Sequence, residues 1–173
     1  TLGPRKDDMK SIRIPSRVVT WNEAQGGKHT SLSWEPDQRH GRILCQQLGL
    51  HADSKGRAAP VDKVRFTKLP PLAGNDLPGD LAALYKSCCM RLAFLEWERP
   101  GLQYISKELA RVMTKPTENA LEHLKHAARF VHDSKRVVGV FVRQHPQKLC
   151  DGFGDSNWAG CPVTHKSTSC SFM

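Results

Sequence analysis

Two aspartates near the carboxyl end of the chain have the residue type and the setting of a metal site. Asp151 and Asp155 flank a Gly-Phe-Gly tripeptide at the end of an apolar segment. A carboxylate at the end of a strand can bind Mg²⁺, which prefers oxygen ligands in octahedral geometry. A pair of such ions can activate a water and stabilise the leaving oxygen of a phosphodiester. That chemistry needs more than two carboxylates. After Asp133, however, Asp151 and Asp155 are the only acidic residues in the sequence. Aspartates at a strand end or turn are the structural alternative.

A second group of candidate functional residues consists of lysines and arginines that recur every four residues in two predicted helices. Its members are Lys107, Arg111, Lys115, Lys125 and Arg129. Residues four apart share one helix face. Between residues 102 and 148 there are nine Lys and Arg residues against four acidic ones, an excess that fits a surface following a phosphate backbone. The alternative is a solvated helix face with Glu108–Arg111 and Glu122–Lys125 pairs.

Two histidines, His123 and His126, stand three residues apart in the second of these helices. That spacing brings two imidazoles within reach of one metal ion. No third ligand is placed beside them, and helical histidines near an interface are common, so an interfacial position is the preferred interpretation. The six cysteines show no CxxC or CxxH spacing, which argues against a zinc site and favours free, buried thiols.

The composition favours a polyanionic partner. The 173-residue chain has a formal charge of +9, and nucleic acid is the commonest partner for such a balance, although an inert basic surface is the alternative. No apolar run approaches the length of a membrane span, and residues 1–10 do not resemble a signal peptide. We therefore expect an intracellular protein, in a cytoplasmic particle or the nucleus, that is not secreted and has no membrane partner.

The elements that must position these residues follow from the hydrophobic pattern, which predicts a mixed α/β (α+β) fold. A hairpin is predicted from residues 11–21 and 31–34, and a helix over 35–50 that ends at Gly49. Residues 51–79, with four prolines and three glycines, are predicted to be a loop or linker. Three helices at 80–98, 102–115 and 117–132 follow, and then strands at 136–143, 149–155 and 167–173.

The run "DSNWAGCPVTHKSTS" (155–169) closely resembles the opening of the ribonuclease H domain of copia-type LTR retrotransposons. The positions in register with that family are Asp155, Trp158, Ala159, Gly160, Thr164, Lys166, Ser167, Thr168 and Ser169. Upstream, residues 98–131 are similar to the segment that follows the reverse-transcriptase palm in this family. The runs "YKSCCMRLAFL" (85–95) and "EPDQRH" (35–40) also resemble family motifs, so the likeness covers about 11–173.

By this resemblance the chain is a segment of a Pol polyprotein, a transposable-element product with reverse transcriptase and ribonuclease H activities. Residues 1–79 would be the end of the reverse-transcriptase region, 80–134 a helical thumb- or connection-like segment, and 135–173 the truncated start of a ribonuclease H-like domain. The five basic helix residues would grip an RNA–DNA hybrid. Asp155 would be a catalytic metal ligand for Mg²⁺, but only in a complete ribonuclease H domain.

Departures from the family pattern limit the expected activity. The polymerase motif Tyr-x-Asp-Asp and the later ribonuclease H carboxylates are absent, and Asn157, His165 and Cys170 replace the usual aspartate, arginine and glycine. We therefore expect the isolated chain to be catalytically inert, with the rest of the Pol polyprotein and nucleic acid as its partners. The alternatives are a stand-alone basic nucleic-acid-binding module and a decayed relic without function.

Overall fold

The structure is a computed structural model that describes residues 1–3, 5–23, 29–134, 136–142, 152–157, 160–161 and 164–172. The chain divides into two compact units, Thr1–Arg143 and Gln144–Met173. The elements are β1 (Ser11–Ile14), β2 (Arg17–Glu23), β3 (His29–Pro36), α1 (Arg39–Gln47), α2 (Lys63–Lys68), α3 (Gly79–Leu95), a 3₁₀ turn (Pro100–Leu102), α4 (Gln103–Ala110), α5 (Glu118–Asp133), β4 (Gly139–Val142), β5 (Phe153–Asn157) and β6 (Thr168–Phe172). The predicted mixed α/β class is confirmed.

The first unit contains an antiparallel sheet in the order β1-β2-β3-β4. The strand predicted over 11–21 is two strands, because the chain reverses at Pro15 and Ser16 and pairs Ile14 with Arg17. Proline cannot donate to a strand ladder. Ser16 has a φ of 61°, a left-handed conformation that an extended strand does not use. The predicted hairpin is therefore a three-stranded meander.

The strand predicted at 136–143 exists over Gly139–Val142, but its partner differs from the prediction. We expected it to begin a new sheet, whereas it pairs antiparallel with β3, with Trp34 opposite Gly139 and Ser31 opposite Val142. β3 would otherwise be an edge strand with unpaired backbone groups, and β4 supplies their partners. The continuous β-branched apolar run within 136–143 indicates a strand but not its neighbour.

The second unit contains a two-stranded antiparallel ribbon of β5 and β6. Asp155 lies opposite Cys170 in its register, and Phe153 lies opposite Phe172. Both strands were predicted, although residues 149–151 of the first lie outside the described residues. A turn before β6 is closed by hydrogen bonds from the Cys161 amide to the Lys166 carbonyl (3.2 Å) and from the His165 amide to the Cys161 carbonyl (2.9 Å).

The core of the first unit lies between α1, α3, α4 and α5. Tyr85, Leu92, Leu109 and Leu124 have no exposed surface. The Tyr85 hydroxyl is buried with them and donates to the Leu109 carbonyl at 2.7 Å, which satisfies both groups away from water. The three helices predicted between 80 and 132 are confirmed, and α3 and α4 are joined by this hydrogen bond as well as by packing.

Helix ends follow local signals in two cases and depart from the prediction in one. Gly49, with φ of +73°, ends α1 as predicted, and the Leu50 amide donates back to the Cys45 carbonyl at 2.9 Å. Thr117 begins α5, and its hydroxyl accepts from the Ala120 amide at 3.1 Å. The helix predicted over 102–115 begins with a 3₁₀ turn and ends at Ala110.

The loop predicted over 51–79 contains a short helix, α2, that composition did not indicate. The Asp62 carboxylate accepts from the Arg65 amide at 3.1 Å and starts the helix. Phe66 is buried and contacts the rings of Tyr104 and His123 at centroid distances of 5.7 and 5.1 Å. One aromatic side chain thus ties this part of the loop to α4 and α5. Among the described residues, no helix is long and apolar enough to cross a membrane.

Candidate nucleic-acid interface

Two of the five predicted basic residues share one buried carboxylate on α4. Glu108 lies between them and is 6% exposed. Its Oε1 is 3.0 Å from Lys107 Nζ, and its Oε2 accepts from Arg111 Nη1 at 2.8 Å. Part of the positive charge at this face is therefore neutralised within the protein, as in the alternative interpretation of a paired helix face.

The remaining predicted residues differ in their surroundings. Lys115 lies beyond the end of α4, so it does not continue the row formed by Lys107 and Arg111. Its Nζ is 2.8 Å from the carboxylate of Asp76, which raises the pKa of the lysine. On α5, Lys125 Nζ is 2.9 Å from Glu122 Oε1. Arg129 follows one turn later, half-buried, with no ion pair inside the described ranges.

Glu122 holds two cations at once. It also accepts from Arg65 of α2 at 3.2 Å. The hydrogen bond from Lys125, with Arg65 in addition, lowers the pKa of Glu122. This carboxylate links α5 to the segment before α3, and it offsets charge that would otherwise face a ligand.

A group of cations that we did not predict lies in residues 51–69, hereafter the basic segment. The segment has five Lys and Arg residues against two aspartates. Four of the five are exposed and make no ion pair with any residue that the structure describes. These four, hereafter the segment cations, are Lys55, Arg57, Lys63 and Lys68. The excess of Lys and Arg over Asp in this region could have indicated these cations from sequence. The proline and glycine content led instead to the prediction of a loop or linker.

The basic segment is fixed to α5 by the two histidines considered above as metal ligands. His123 Nε2 lies 2.6 Å from the Leu69 carbonyl, and His126 Nε2 lies 3.1 Å from the Ala59 carbonyl. Each imidazole therefore donates to a backbone oxygen of the segment. Among the described residues no group of three His, Cys, Asp or Glu side chains could hold a metal ion.

Burial sets the protonation of these histidines. Both side chains are at most 9% exposed. Desolvation is the main cause that lowers the pKa of His123 and of His126, while the hydrogen bonds to the two carbonyls act in the opposite direction. The neutral form with a proton on Nε2 satisfies these contacts. Arg57 and Arg65 further lower the pKa of His126, which places both guanidinium groups near α5.

Asp155, the predicted catalytic and metal-binding residue, is exposed in β5. Its Oδ1 accepts from the Ser156 amide at 2.7 Å. Among the described residues Asp155 belongs to no group of three potential metal ligands, and the other candidate, Asp151, lies outside them. A set of fewer than three ligands does not fit the several oxygen ligands that a Mg²⁺ ion requires. The role of Asp155 as a metal ligand stays a prediction.

The cysteines behave as buried thiols where the structure describes their side chains. Cys45, Cys88, Cys89 and Cys161 are free and buried, as predicted. Burial raises the pKa of Cys88 and of Cys89 to about 11, so both are neutral at physiological pH. They are core residues, and they supply neither a nucleophile nor a metal ligand.

The first unit is thus a mixed α/β fold with a basic surface on a segment held against a helix. About half of the chain is similar in sequence to each of two curated proteins. The chain is 29% identical over 91 residues to an uncharacterized mitochondrial protein, AtMg00810, from Arabidopsis thaliana. It is 27% identical over 85 residues to the retrovirus-related Pol polyprotein from transposon RE1 of the same organism.

These similarities cover 51% and 49% of the chain but only 38% and 6% of the two relatives. The chain thus matches part of each relative. The predicted resemblance to a retrotransposon Pol polyprotein is confirmed. No family model matches the chain, and no solved structure matches it significantly.

Proposed function

We propose that the first unit binds the phosphate backbone of an RNA–DNA hybrid as part of a reverse transcriptase/ribonuclease H polyprotein. The observation that carries this proposal is the basic segment, whose four segment cations are exposed and lack ion pairs in the described chain. The resemblance to Pol polyproteins and the formal charge of +9 support it. Phosphate neutralisation by Lys and Arg with release of counterions is the main source of such affinity.

The paired helix residues contribute less in this proposal. A cation in an ion pair must lose its carboxylate partner, or share it, before it neutralises a phosphate. Lys107, Lys115 and Lys125 are each within 3.0 Å of a carboxylate oxygen. The segment cations meet no such cost. Arg129 is expected to contact phosphate together with the segment cations, because it lies on α5, the helix to which the basic segment is fixed.

The anchors on α5 explain why a loop can serve as an interface. A flexible cationic chain loses conformational entropy when it binds. Hydrogen bonds from His123 and His126 and the burial of Phe66 hold the segment before any ligand arrives. The binding surface is therefore formed in advance, and less ordering is required at the moment of association.

The experiment compares two triple variants of the full chain by fluorescence anisotropy with a labelled RNA–DNA hybrid. One is Arg57→Gln/Lys63→Gln/Lys68→Gln. The matched control is Lys107→Gln/Lys115→Gln/Arg136→Gln, whose three cations are all ion-paired. Both variants lower the net charge by the same amount. We expect the first to weaken binding on the order of 100-fold at 0.1 M salt and the second by much less. Equal losses would contradict an interface on the basic segment.

A further inference from the structure

A cavity between α1, the loop that follows it, and the end of α5 is lined by two arginines and so forms a second cationic region. Its volume is about 400 Å³, which lies in the range of small-ligand sites. Its lining includes Arg99, Arg42, His51 and His132, and no Asp or Glu among the described residues. All of these residues belong to the first unit.

Arg99 is the unusual member of this lining. The residue is only 7% exposed, and its Nε has no hydrogen-bond partner in the part of the chain that the structure describes. One of its terminal nitrogens, Nη1, donates to the Ser134 carbonyl at 3.3 Å. Buried charges in proteins are normally paired, because removing a charge from water without a partner is expensive. Among the described residues the guanidinium therefore has no carboxylate in direct contact.

The charge of the nearby Glu98 carboxylate acts to raise the pKa of Arg99, against the larger effect of desolvation, but no hydrogen bond or ion pair joins the two side chains among the described residues. Glu98, the preceding residue, accepts from Arg17 Nε at 2.8 Å and from Trp34 Nε1 at 3.1 Å. Cys45 also lines the cavity, but burial raises the pKa of its thiol, so it stays neutral. Desolvation lowers the pKa of Arg99, but an arginine guanidinium remains charged in proteins.

The rim of the cavity adds a second, accessible cation. Arg42 of α1 is exposed and makes no ion pair with any described residue. Two arginines that line one cavity, together with two histidines, are the residue types with which proteins recognise phosphate groups. A bound phosphate would provide the acceptor that Arg99 Nε lacks and a counter-charge in direct contact with the two guanidinium groups.

We propose that this cavity binds a phosphate group, held by Arg99 inside and Arg42 at the rim. The phosphate comes either from a free phosphate-bearing small molecule or from the backbone of a bound nucleic acid. The first source goes beyond the function proposed above, and the second rests on it. The cavity residues and the segment cations are different sets, so the two proposals fail separately.

The test is isothermal titration calorimetry of the full chain with inorganic phosphate and with adenosine monophosphate at constant ionic strength. We expect saturable binding of phosphate. Arg42→Gln should weaken it about ten-fold, since a hydrogen bond to a charged group is lost. Arg99→Lys, which keeps the charge but loses the Nε donor, should weaken it more. Lys86→Gln, an exposed cation outside the cavity lining, is the matched control and should change nothing.

Two further arms identify the source of the phosphate. Tighter binding of the nucleotide than of phosphate, with no competition from the hybrid, supports a small-molecule ligand. Displacement of phosphate by the hybrid supports a backbone phosphate. The Arg57→Gln/Lys63→Gln/Lys68→Gln variant should retain phosphate binding, which separates this proposal from the interface on the basic segment.

Absence of saturable phosphate and nucleotide binding would overturn the proposal, and a buried water would then be the partner of Arg99. Phosphate binding that Arg42→Gln and Arg99→Lys both leave unchanged would overturn it as well. Arg42 is exposed, so Arg42→Gln is expected to fold even if the Arg99 variant does not. The circular dichroism melt of each variant verifies folding before titration.

Discussion

The cations of α4 and the cations of the basic segment have opposite surroundings in one protein. At α4, Lys107 and Arg111 both form ion pairs with Glu108, which is one residue from Lys107 and three residues from Arg111. In the basic segment, one of the two aspartates, Asp62, accepts from a backbone amide at the start of α2. The helix thus provides its own counter-charges, whereas the segment uses an acid for capping and leaves four of its five cations, all but Arg65, without ion pairs among the described residues.

This difference shows that regular spacing is a poor guide to which cations are available. A helix brings residues three and four apart together, so Glu–Arg and Glu–Lys pairs form wherever both types occur at that spacing. Exposed pairs of this kind contribute little stability, about 0–1 kcal/mol each. They do reduce the local positive potential. Lys63 and Lys68 of the basic segment lie in α2 but have no acidic residue three or four positions away, so their charge remains available to a ligand.

The largest expected effect comes from breaking the attachment of the basic segment without changing its charge. Phe66→Ala removes a buried ring that contacts Tyr104 and His123. We expect a loss of about 3–5 kcal/mol in the free energy of unfolding, measured by urea denaturation. At a temperature where the variant is still folded, its affinity for the hybrid should also fall.

Val64→Ala is the control for this experiment, because Val64 is an exposed apolar residue of the same helix. It should leave both stability and binding close to those of the unmodified chain. Hybrid binding that survives Phe66→Ala in a folded protein would mean that the segment does not need its anchors.

The second-largest effect is expected when a carboxylate is removed and the cations that it pairs become free. Glu122→Gln releases Lys125 and Arg65 from their shared carboxylate. We expect tighter hybrid binding, by roughly ten-fold at 0.1 M salt, because up to two more cations can neutralise phosphates. Stability should change by less than about 1 kcal/mol. Anisotropy titrations measure the gain, and unchanged affinity would show that these two cations lie away from the hybrid.

A smaller effect concerns pH. His123 and His126 have lowered pKa values in the folded state, so the unfolded chain binds protons more readily. Their contribution to stability is therefore complete above the ordinary imidazole pKa of 6.5 and is lost as pH falls through their folded values. Burial also lowers the pKa of His40, which adds to the same window.

Thermal melts between pH 7.5 and 5 measure this dependence. We expect the melting temperature to fall with pH in the unmodified chain, and the fall to be shallower in His126→Gln, where a neutral amide replaces the imidazole. The exposed residue His51 provides the control, and His51→Gln should melt with the slope of the unmodified chain. Equal slopes in all three proteins would contradict the assigned role of His126.

The smallest expected effect is at Asp155. Because this carboxylate is exposed and alone among the described residues, Asp155→Asn should leave hybrid affinity unchanged. The purified chain should not cleave the hybrid in the presence of Mg²⁺. Cleavage that Asp155→Asn abolishes, followed by gel electrophoresis, would contradict the expectation that this chain is inert by itself.

Much of the fold could be predicted because its signals are local. Gly49 and Thr117 mark helix ends through backbone conformation and capping, and the apolar faces of α3 and α5 are periodic. The partner of β4 could not be predicted, since a β-branched apolar run indicates a strand but not its neighbour. The end of α4 at Ala110 also escaped prediction, because residues 111–115 keep a helical pattern in the sequence.

The candidate site was harder to predict than the fold. Helical spacing relates Lys107 to Arg111 and Lys125 to Arg129, but it does not decide between ligand contacts and ion pairs. That choice depends on side-chain geometry around Glu108 and Glu122. The basic segment and the pairing of His123 and His126 with its carbonyls are long-range contacts of 54 and 67 residues, which no local pattern reports. The burial of Arg99 is a tertiary property for the same reason.

The measurement that tests the central claim most directly is the salt dependence of hybrid binding. The logarithm of the association constant should fall linearly with the logarithm of salt concentration, with a slope of about −0.9 per neutralised phosphate. Relative to the unmodified chain, Arg57→Gln/Lys63→Gln/Lys68→Gln should make this slope shallower by up to about 2.7. The matched Lys107→Gln/Lys115→Gln/Arg136→Gln control should keep the slope of the unmodified chain. A control slope as shallow as that of the segment variant, or no salt dependence at all, would contradict the account.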